Sequence, residues 1–416
     1  MAIATPSKID DELRSLAENA LRGTTSQTNS NQALVKLREL GTELWLDTGN
    51  LEEARSLWTP EFTALTTNNT LANQVVQTGI MDEVAQNTIR ELRAANPSIS
   101  ENDLVVELGF VINCHIALRL VKAFGAMVSV ELHPAVSENI DRTVYFAERY
   151  FAVCPERFYI KIPLTPEGYC SVARVRAKGI PVNYTLGFGA RQNYVAAIVS
   201  NPTFCNVFLG RLNAVVADNR LGDGKFVGEK AAHATQMAIR ELRSSGLTQT
   251  KMIAASMRAP SQVADLAGAD VFTIPPKVAR EFIASSPDPA GLTSLTWRSF
   301  DVQLAPGVDP KITNVLWNVD ENIRALASDL KSRGPLTLTG DDLRAADKDH
   351  RCGLFYRFSQ TEIEDIKEQG KIPNLERWKS VPQVALDTLM TESALQSFAV
   401  DQEALDTHLR SIVRAN

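Results

Sequence analysis

Between Leu44 and Pro275 the chain runs through one pattern eight times: a short apolar run that reads as a β-strand, then a longer stretch with helical periodicity. The runs are "LWLDT" from Leu44, "FTALTTN" from Phe62, "MVSVEL" from Met127, "FYIKIP" from Phe158, "VNYTL" from Val182, "CNVFLGR" from Cys205, "KMIAAS" from Lys251 and "DVFTIP" from Asp270. Two of the helical stretches, "TPEGYCSVARVRAKG" and "GEKAAHATQMAIRELRSSG", end on glycine, the residue that most easily takes the left-handed conformation closing a helix. Eight strand–helix units within roughly 250 residues predict an α/β fold, a (β/α)8 TIM barrel. An open doubly wound sheet is the alternative, and eight clean repeats favour closure. Residues 1–43 read as N-terminal helices around the polar loop "GTTSQTNSNQ", and 44–285 as the barrel. From 286 to 416 the rhythm stops, and this part is expected to be a helical and loop C-terminal extension packed on the barrel.

Composition narrows the function. With 43 Lys+Arg against 49 Asp+Glu the net charge is −6, and no basic stripe of the kind nucleic acids require is present. The start "MAIATPSKIDDELRSL" lacks a basic segment followed by an apolar one, so no secretory signal is expected. Nowhere do 18 apolar residues run together, which argues against a membrane span. Cys114, Cys154, Cys170, Cys205 and Cys352 are scattered without a C-x-x-C pair, and read as free, mostly buried thiols in a reducing cytoplasm. The five histidines have no metal-ligand spacing.

Side chains alternate along a strand, so residues i and i+2 share a face. By that rule Asp47 ends the first run, Thr66 and Asn68 share a face of the second, and Glu131 ends the third. Lys161 lies late in the fourth, Asn183 and Thr185 share a face of the fifth, and Asn206 and Phe208 of the sixth, with Arg211 just beyond. Ser256 ends the seventh, and Arg258 follows two residues later. Strand carboxyl ends face the active site in such barrels, so seven of the eight strands deliver polar groups to one mouth. A packing role would favour Val, Ile or Leu there.

Lys161, set among Tyr159, Ile160 and Ile162, is the sharpest case. An amine in apolar surroundings falls from ~10.4 toward ~7–8 in pKa, and a neutral amine forms Schiff bases with carbonyl substrates. The bland alternative is a snorkelling or salt-bridged lysine with Asp47 or Glu131 as partner. Asp47 and Glu131 are candidate acid/base groups, and Thr185 is placed to hold a water beside them. Arg211 and Arg258 suit a phosphate, with Ser256 adding a hydroxyl donor; two ordinary surface arginines are their alternative reading.

Other signals carry less. "GFGARQ" from Gly187 lacks the third glycine of a dinucleotide loop and reads as tight-turn glycines. Cys114 and His115 in "NCHIALRLVKAF" read as a core thiol and a boundary histidine. "GDGKF" lacks the earlier glycine and the Ser/Thr of a P-loop.

Taken together, the motifs resemble the transaldolase family, Schiff-base aldolases of class I. "LWLDTGNLEEAR" and "ALTTNNT" resemble the opening Asp strand and the T-T-N-P-[ST] motif, and "YIKIPLTPEG" the lysine signature. "VNYTLGF", "FLGRL" and "AASMR" are similar to the N-x-T-L, F-x-G-R and A-S-x-R segments, and "FAVDQEALDTHLRSI" to the closing helix. The extra length then lies between Ser286 and about Leu395. The resemblance implies that Lys161 forms the Schiff base, Asp47 is the acid/base, and Glu131 with Thr185 positions a water. It implies that Asn68, Asn183, Asn206 and Phe208 meet the substrate and that Arg211, Ser256 and Arg258 bind phosphate. Phe208 stands where the transferring enzymes carry Phe and the simple aldolases Tyr.

The implied reaction moves a dihydroxyacetone unit from a ketose phosphate, sedoheptulose 7-phosphate or fructose 6-phosphate, to an aldose phosphate, as in the pentose phosphate pathway. No metal or other cofactor is required, because the iminium withdraws the electrons. The expected partners are small-molecule sugar phosphates, with no nucleic acid and no membrane; oligomeric state stays open, a homodimer included. Asn69, Val130, His133, Asn206, Gly187 and Gly189 depart from the family pattern, which bears on donor and acceptor preference. A related aldolase or transferase for a different sugar, and a non-catalytic barrel whose extension is an interaction module, remain the alternatives.

Overall fold

The computed structural model describes residues 7–23, 29–295, 298–379, 381 and 384–415. Residues 1–6, and residues 24–28 of the polar N-terminal loop, lie outside them. Eight strands form: β1 Glu43–Asp47, β2 Phe62–Thr66, β3 Met127–Glu131, β4 Phe158–Pro163, β5 Val182–Thr185, β6 Phe204–Phe208, β7 Lys251–Ala255 and β8 Val271–Ile274. They pair in parallel and in chain order, and β8 returns to β1 to close the barrel. The open-sheet alternative is thereby excluded. Helices cover the outside, so both faces of each strand are dry and the strands read as near-continuous apolar runs. The run from Cys205 is shorter as a strand than its sequence suggests: Leu209–Asp218 is already helical, so Arg211 sits in a helix's first turn.

Barrel closure turns alternation into layers. Trp45 stacks on Tyr159 at 5.5 Å and meets Phe204 edge-on at 4.7 Å, while Tyr159 and Phe204 are 5.1 Å apart. These rings come from β1, β4 and β6 and can meet only inside the barrel. Two residues further along the same strands stand Asp47, Lys161 and Asn206, on the same inward face. The aromatic plug is thus the floor beneath the polar layer, and it denies water a route from below.

The chain beyond residue 285 shares the barrel's core rather than building its own. Helices Glu321–Ser332 and Gly340–His350 lie outside Ala190–Val199 and Pro166–Ala177, and Leu326, Leu330, Leu343 and Met390 belong to the main apolar cluster. The closing helix, Leu386–Ala415, packs across Asn69–Val76, Asp82–Ala95 and Glu101–Phe124. A small cluster of Ile366, Trp378 and Leu389 holds helix Gln360–Gln369 to it. Helix Glu101–Phe124 is long and apolar enough to cross a membrane by length and composition, but 83% of its most apolar window is buried within this fold.

One buried ion pair fastens the closing helix to the barrel. Arg191 donates from Nε to Asp387 Oδ2 at 2.7 Å and from Nη2 to Oδ1 at 2.6 Å, and also to the carbonyls of Cys352 and Gly353. This contact explains "GFGARQ" better than tight turns do, since neither Gly187 nor Gly189 has a positive φ. A Cβ on Gly189 would lie 3.1 Å from Asp387 Oδ2, and one on Gly187 only 2.2 Å from the Asn206 carbonyl. Close approach, not turn geometry, excludes a side chain at Gly187 and crowds one at Gly189. Asp387→Ala strands a buried guanidinium, and is expected to lower the unfolding free energy in urea by about 3–5 kcal/mol. The double variant Arg191→Met/Asp387→Leu should recover most of that loss.

Candidate active site

Register decides which side chains meet at the barrel mouth. Asp47 pairs with Thr66 across β1 and β2, and Glu131, Lys161 and Asn183 lie side by side across β3, β4 and β5. Lys161 is 4% exposed and Glu131 3%. Lys161 Nζ lies 3.0 Å from Glu131 Oε2 and donates to the Thr67 carbonyl at 3.1 Å. The expectation of an apolar environment is therefore corrected. Ile160 and Ile162 neighbour Lys161 in sequence but sit on the opposite face, and its spatial neighbours come from the adjacent strands.

Asp47 Oδ1 accepts from Thr66 Oγ1 at 2.6 Å, and Thr66 Oγ1 is 2.5 Å from Thr273 Oγ1. A hydroxyl has one proton, so with Thr66 donating to Asp47 the Thr273 hydroxyl donates to Thr66. Thr273 comes from β8, so the eighth strand also brings a polar group to the mouth. Burial pushes the pKa of Asp47 up, and the nearby Lys161 charge and the Thr66 bond pull it back only in part. Glu131 is raised for the same leading reason, again opposed by Lys161. A buried carboxylate whose pKa burial raises thus lies 3.0 Å from the Lys161 amine, within reach of a direct proton transfer.

The remaining candidates surround a cavity of about 250 Å³ whose lining includes Asp47, Asn68, Lys161, Asn183, Asn206, Phe208, Arg211, Ser256 and Arg258. Asn68 caps helix Asn69–Val76 by accepting from Leu71 N at 2.9 Å, which fixes its side chain. Asn183 donates to Ser129 Oγ at 3.0 Å, while its Oδ1 has no hydrogen-bond partner among the described residues. Asn206 Oδ1 accepts from Gly187 N at 3.0 Å. Thr185 and Glu131 are buried and do not line this cavity; Thr185 Oγ1 also has no partner among the described residues. Unmet buried acceptors and hydroxyls are what a polyol or a water would satisfy.

Gly210 assembles the cationic end. A Cβ there would lie 2.2 Å from the Ser256 carbonyl and 2.8 Å from Arg258 Cγ, and the bare backbone lets Gly210 N donate to Ser256 O at 3.2 Å. Ser256 is held at φ +60, an uncommon conformation for a side-chain-bearing residue. Arg211 is 6% exposed, and its Nη1 finds no hydrogen-bond partner among the described residues. Burial and the neighbouring Arg258 charge push Arg211 down to about 10, with Asp401 the opposing influence. Arg258 is exposed at the rim.

Among the cavity-lining residues that sequence reasoning misses are Thr70, Thr273, Lys371 and Phe398. Thr273 obeys the strand alternation rule, which is the signal that could have found it. Phe398, on the closing helix, lies 5.6 Å from the Arg211 guanidinium and 5.9 Å from Lys161 Nζ, and no local periodicity predicts that. Of the departures from the family pattern, Asn69 is buried at the helix start, and His133 pairs with Asp406 of the closing helix at 3.2 Å. Asn206 lines the cavity; Asn69 and His133 do not. Cys114 and His115 behave as a core thiol and a half-buried helix residue, and burial pushes the thiol up and the imidazole down.

Residues 44–330 match the family model of transaldolase/fructose-6-phosphate aldolase. The chain belongs to that family. It is 34% identical over 138 residues to a probable transaldolase of Hyphomonas neptunium, a match spanning 33% of this chain and 57% of the relative's length. It is 28% identical to the transaldolase of Chlamydia pneumoniae over 237 residues, which span 55% of this chain and 71% of that one. A probable transaldolase of Thermus thermophilus is 28% identical over 246 residues, 58% of this chain and 90% of the relative.

Replacing Arg211 by Met removes a desolvated charge that no carboxylate among the described residues pairs with directly. Arg211→Met is expected to raise stability in urea by about 1–2 kcal/mol.

Proposed function

We propose that this protein is a transaldolase that uses Lys161 as its Schiff-base nucleophile. The observation that carries the reading is one inward layer, Asp47, Lys161 and Glu131, standing over an aromatic floor, with Arg211, whose Nη1 has no hydrogen-bond partner among the described residues, on the cavity that Asp47 and Lys161 line. Glu131 takes a proton from Lys161, and the free amine adds to the ketone of a ketose phosphate. Loss of water gives the iminium. Asp47, held by Thr66, takes the proton from the hydroxyl on the far carbon of the scissile bond, the carbon that becomes the aldehyde. That bond breaks, its electron pair enters the iminium as an enamine, and an aldose phosphate departs. Addition of the enamine to a second aldose phosphate, followed by hydrolysis, reverses these steps and frees the lysine.

Transfer requires that the enamine outlive the departure of the first aldehyde without being protonated by water. Phe208 favours this: its ring packs on Phe188 at 5.8 Å and Phe398 at 6.4 Å and offers water no hydrogen bond. The acidic limb of kcat/KM should lie above pH ~4, the ordinary carboxylate range, because burial raises both Asp47 and Glu131. Below the raised values the base is protonated and activity falls. The stability linkage has the same origin and the opposite benefit. The folded chain binds these protons more readily than the unfolded one, so both groups add stability as pH falls from neutral through their raised values.

The test is product formation from fructose 6-phosphate and erythrose 4-phosphate. Wild type is expected to make sedoheptulose 7-phosphate, Lys161→Ala to lose at least about 10³-fold in kcat, and Phe208→Tyr to release more free dihydroxyacetone relative to transfer. Turnover that survives in Lys161→Ala, or a folded wild type inactive with every ketose phosphate, would sink the proposal. A single departure at the cavity, Asn206, is the observation that favours a second reading, the same chemistry on a different sugar. A profile of donors and acceptors separates the two.

A further inference from the structure

The family match ends at residue 330, yet the cavity is completed by a cation from beyond it. Lys371 lies in the turn after helix Gln360–Gln369, at the lip of the mouth. Its backbone is pinned from two sides. Ser393 Oγ of the closing helix donates to the Gly370 carbonyl at 3.1 Å. On the other side Asn219, at the end of the helix that carries Arg211, donates to the Pro373 carbonyl at 2.9 Å and accepts from Leu375 N at 2.8 Å. The turn is therefore tied to the very elements that bear Arg211 and Phe398.

Charge gives the placement meaning. Among the described residues no carboxylate lies within salt-bridge reach of Lys371, Arg258 or Arg211. The opposing charge on Arg211 comes from Asp401, which is engaged by the Thr70 hydroxyl. Three cations against one carboxylate leave this end of the cavity two charges positive. A phosphate monoester carries about −1.5 to −2 at neutral pH, so the match is complete only when Lys371 is counted.

We propose that Lys371 contacts the phosphate of the bound sugar, as a third cation that the family-matched part of the chain does not supply. The inference rests on the sugar-phosphate reading above and deepens it: the extension selects phosphorylated over neutral sugars. Lys371 is exposed, so its replacement leaves the fold intact, which a thermal melt verifies.

The experiment measures inorganic phosphate binding by calorimetry and steady-state kinetics, on the full chain, for Lys371→Ala, Lys371→Arg and Lys371→Glu. Lys371→Ala is expected to weaken phosphate binding and raise KM for fructose 6-phosphate, each about tenfold, with kcat within about twofold. Lys371→Arg should stay near wild type and Lys371→Glu should fall below Lys371→Ala. KM for unphosphorylated fructose should not move. Unchanged phosphate binding and KM in Lys371→Ala, or an equal effect on the neutral sugar, would overturn the inference. Phosphate binding that depends on Lys371 in a wild type without transferase activity would leave this contact standing and defeat the transaldolase reading instead.

Discussion

The contact between Lys161 and Glu131, 3.0 Å apart in the barrel interior, is the interaction on which the site depends. Neither charge is tolerable there alone, since an unpaired ammonium or carboxylate buried in protein costs several kcal/mol. Their pairing is not a matter of flexible reach. It follows from the β3–β4 register, which sets the two residues abreast, and from the aromatic plug below, which keeps water from separating them. The same register sets Asn183 beside Lys161 and Thr66 beside Asp47. Closing the barrel thus fixes Lys161, Glu131 and Asp47 in one layer, with no loop needed to hold them.

That layer sits between two unlike surroundings. Beneath it is apolar ring area; beside it the cavity wall carries polar atoms that the protein leaves unmet, Asn183 Oδ1 and Arg211 Nη1 among them. These unmet groups cost stability, and in the reading proposed above they would meet sugar hydroxyls on one side and a phosphate on the other. The strained Ser256 backbone and the bare Gly210 serve the same end, since only a residue without a side chain lets the Ser256 carbonyl and Arg258 come so close.

How much of the molecule is legible in its sequence depends on how local the information is. Strand alternation has a period of two and acts within five or six residues, so spacing alone puts Asp47, Glu131, Lys161, Asn183 and Asn206 at one mouth. The environment of Lys161 is not legible in the same way. Ile160 and Ile162 flank it in the chain but face the outer helices, and its true neighbours arrive from other strands. Thr273 obeys the alternation rule too, but one threonine inside an apolar run is a faint signal. Gly187 and Gly189 read as turn residues because sequence shows flexibility and not crowding; the crowding comes from Asn206 and from Asp387, far along the chain. Phe398 and Lys371 lie beyond the reach of local patterns, because where the closing helix and its preceding turn settle is decided by the Arg191–Asp387 pair and by Asn219.

The central claim is that Lys161 is a nucleophile and not a structural partner of Glu131. The most direct measurement is borohydride reduction in the presence of fructose 6-phosphate, followed by mass mapping of the peptides. The account predicts a three-carbon adduct of dihydroxyacetone size on the peptide that holds Lys161, absent from Lys161→Ala. A folded, phosphate-binding protein that yields no adduct with any ketose phosphate, or yields one on a different lysine, would contradict it.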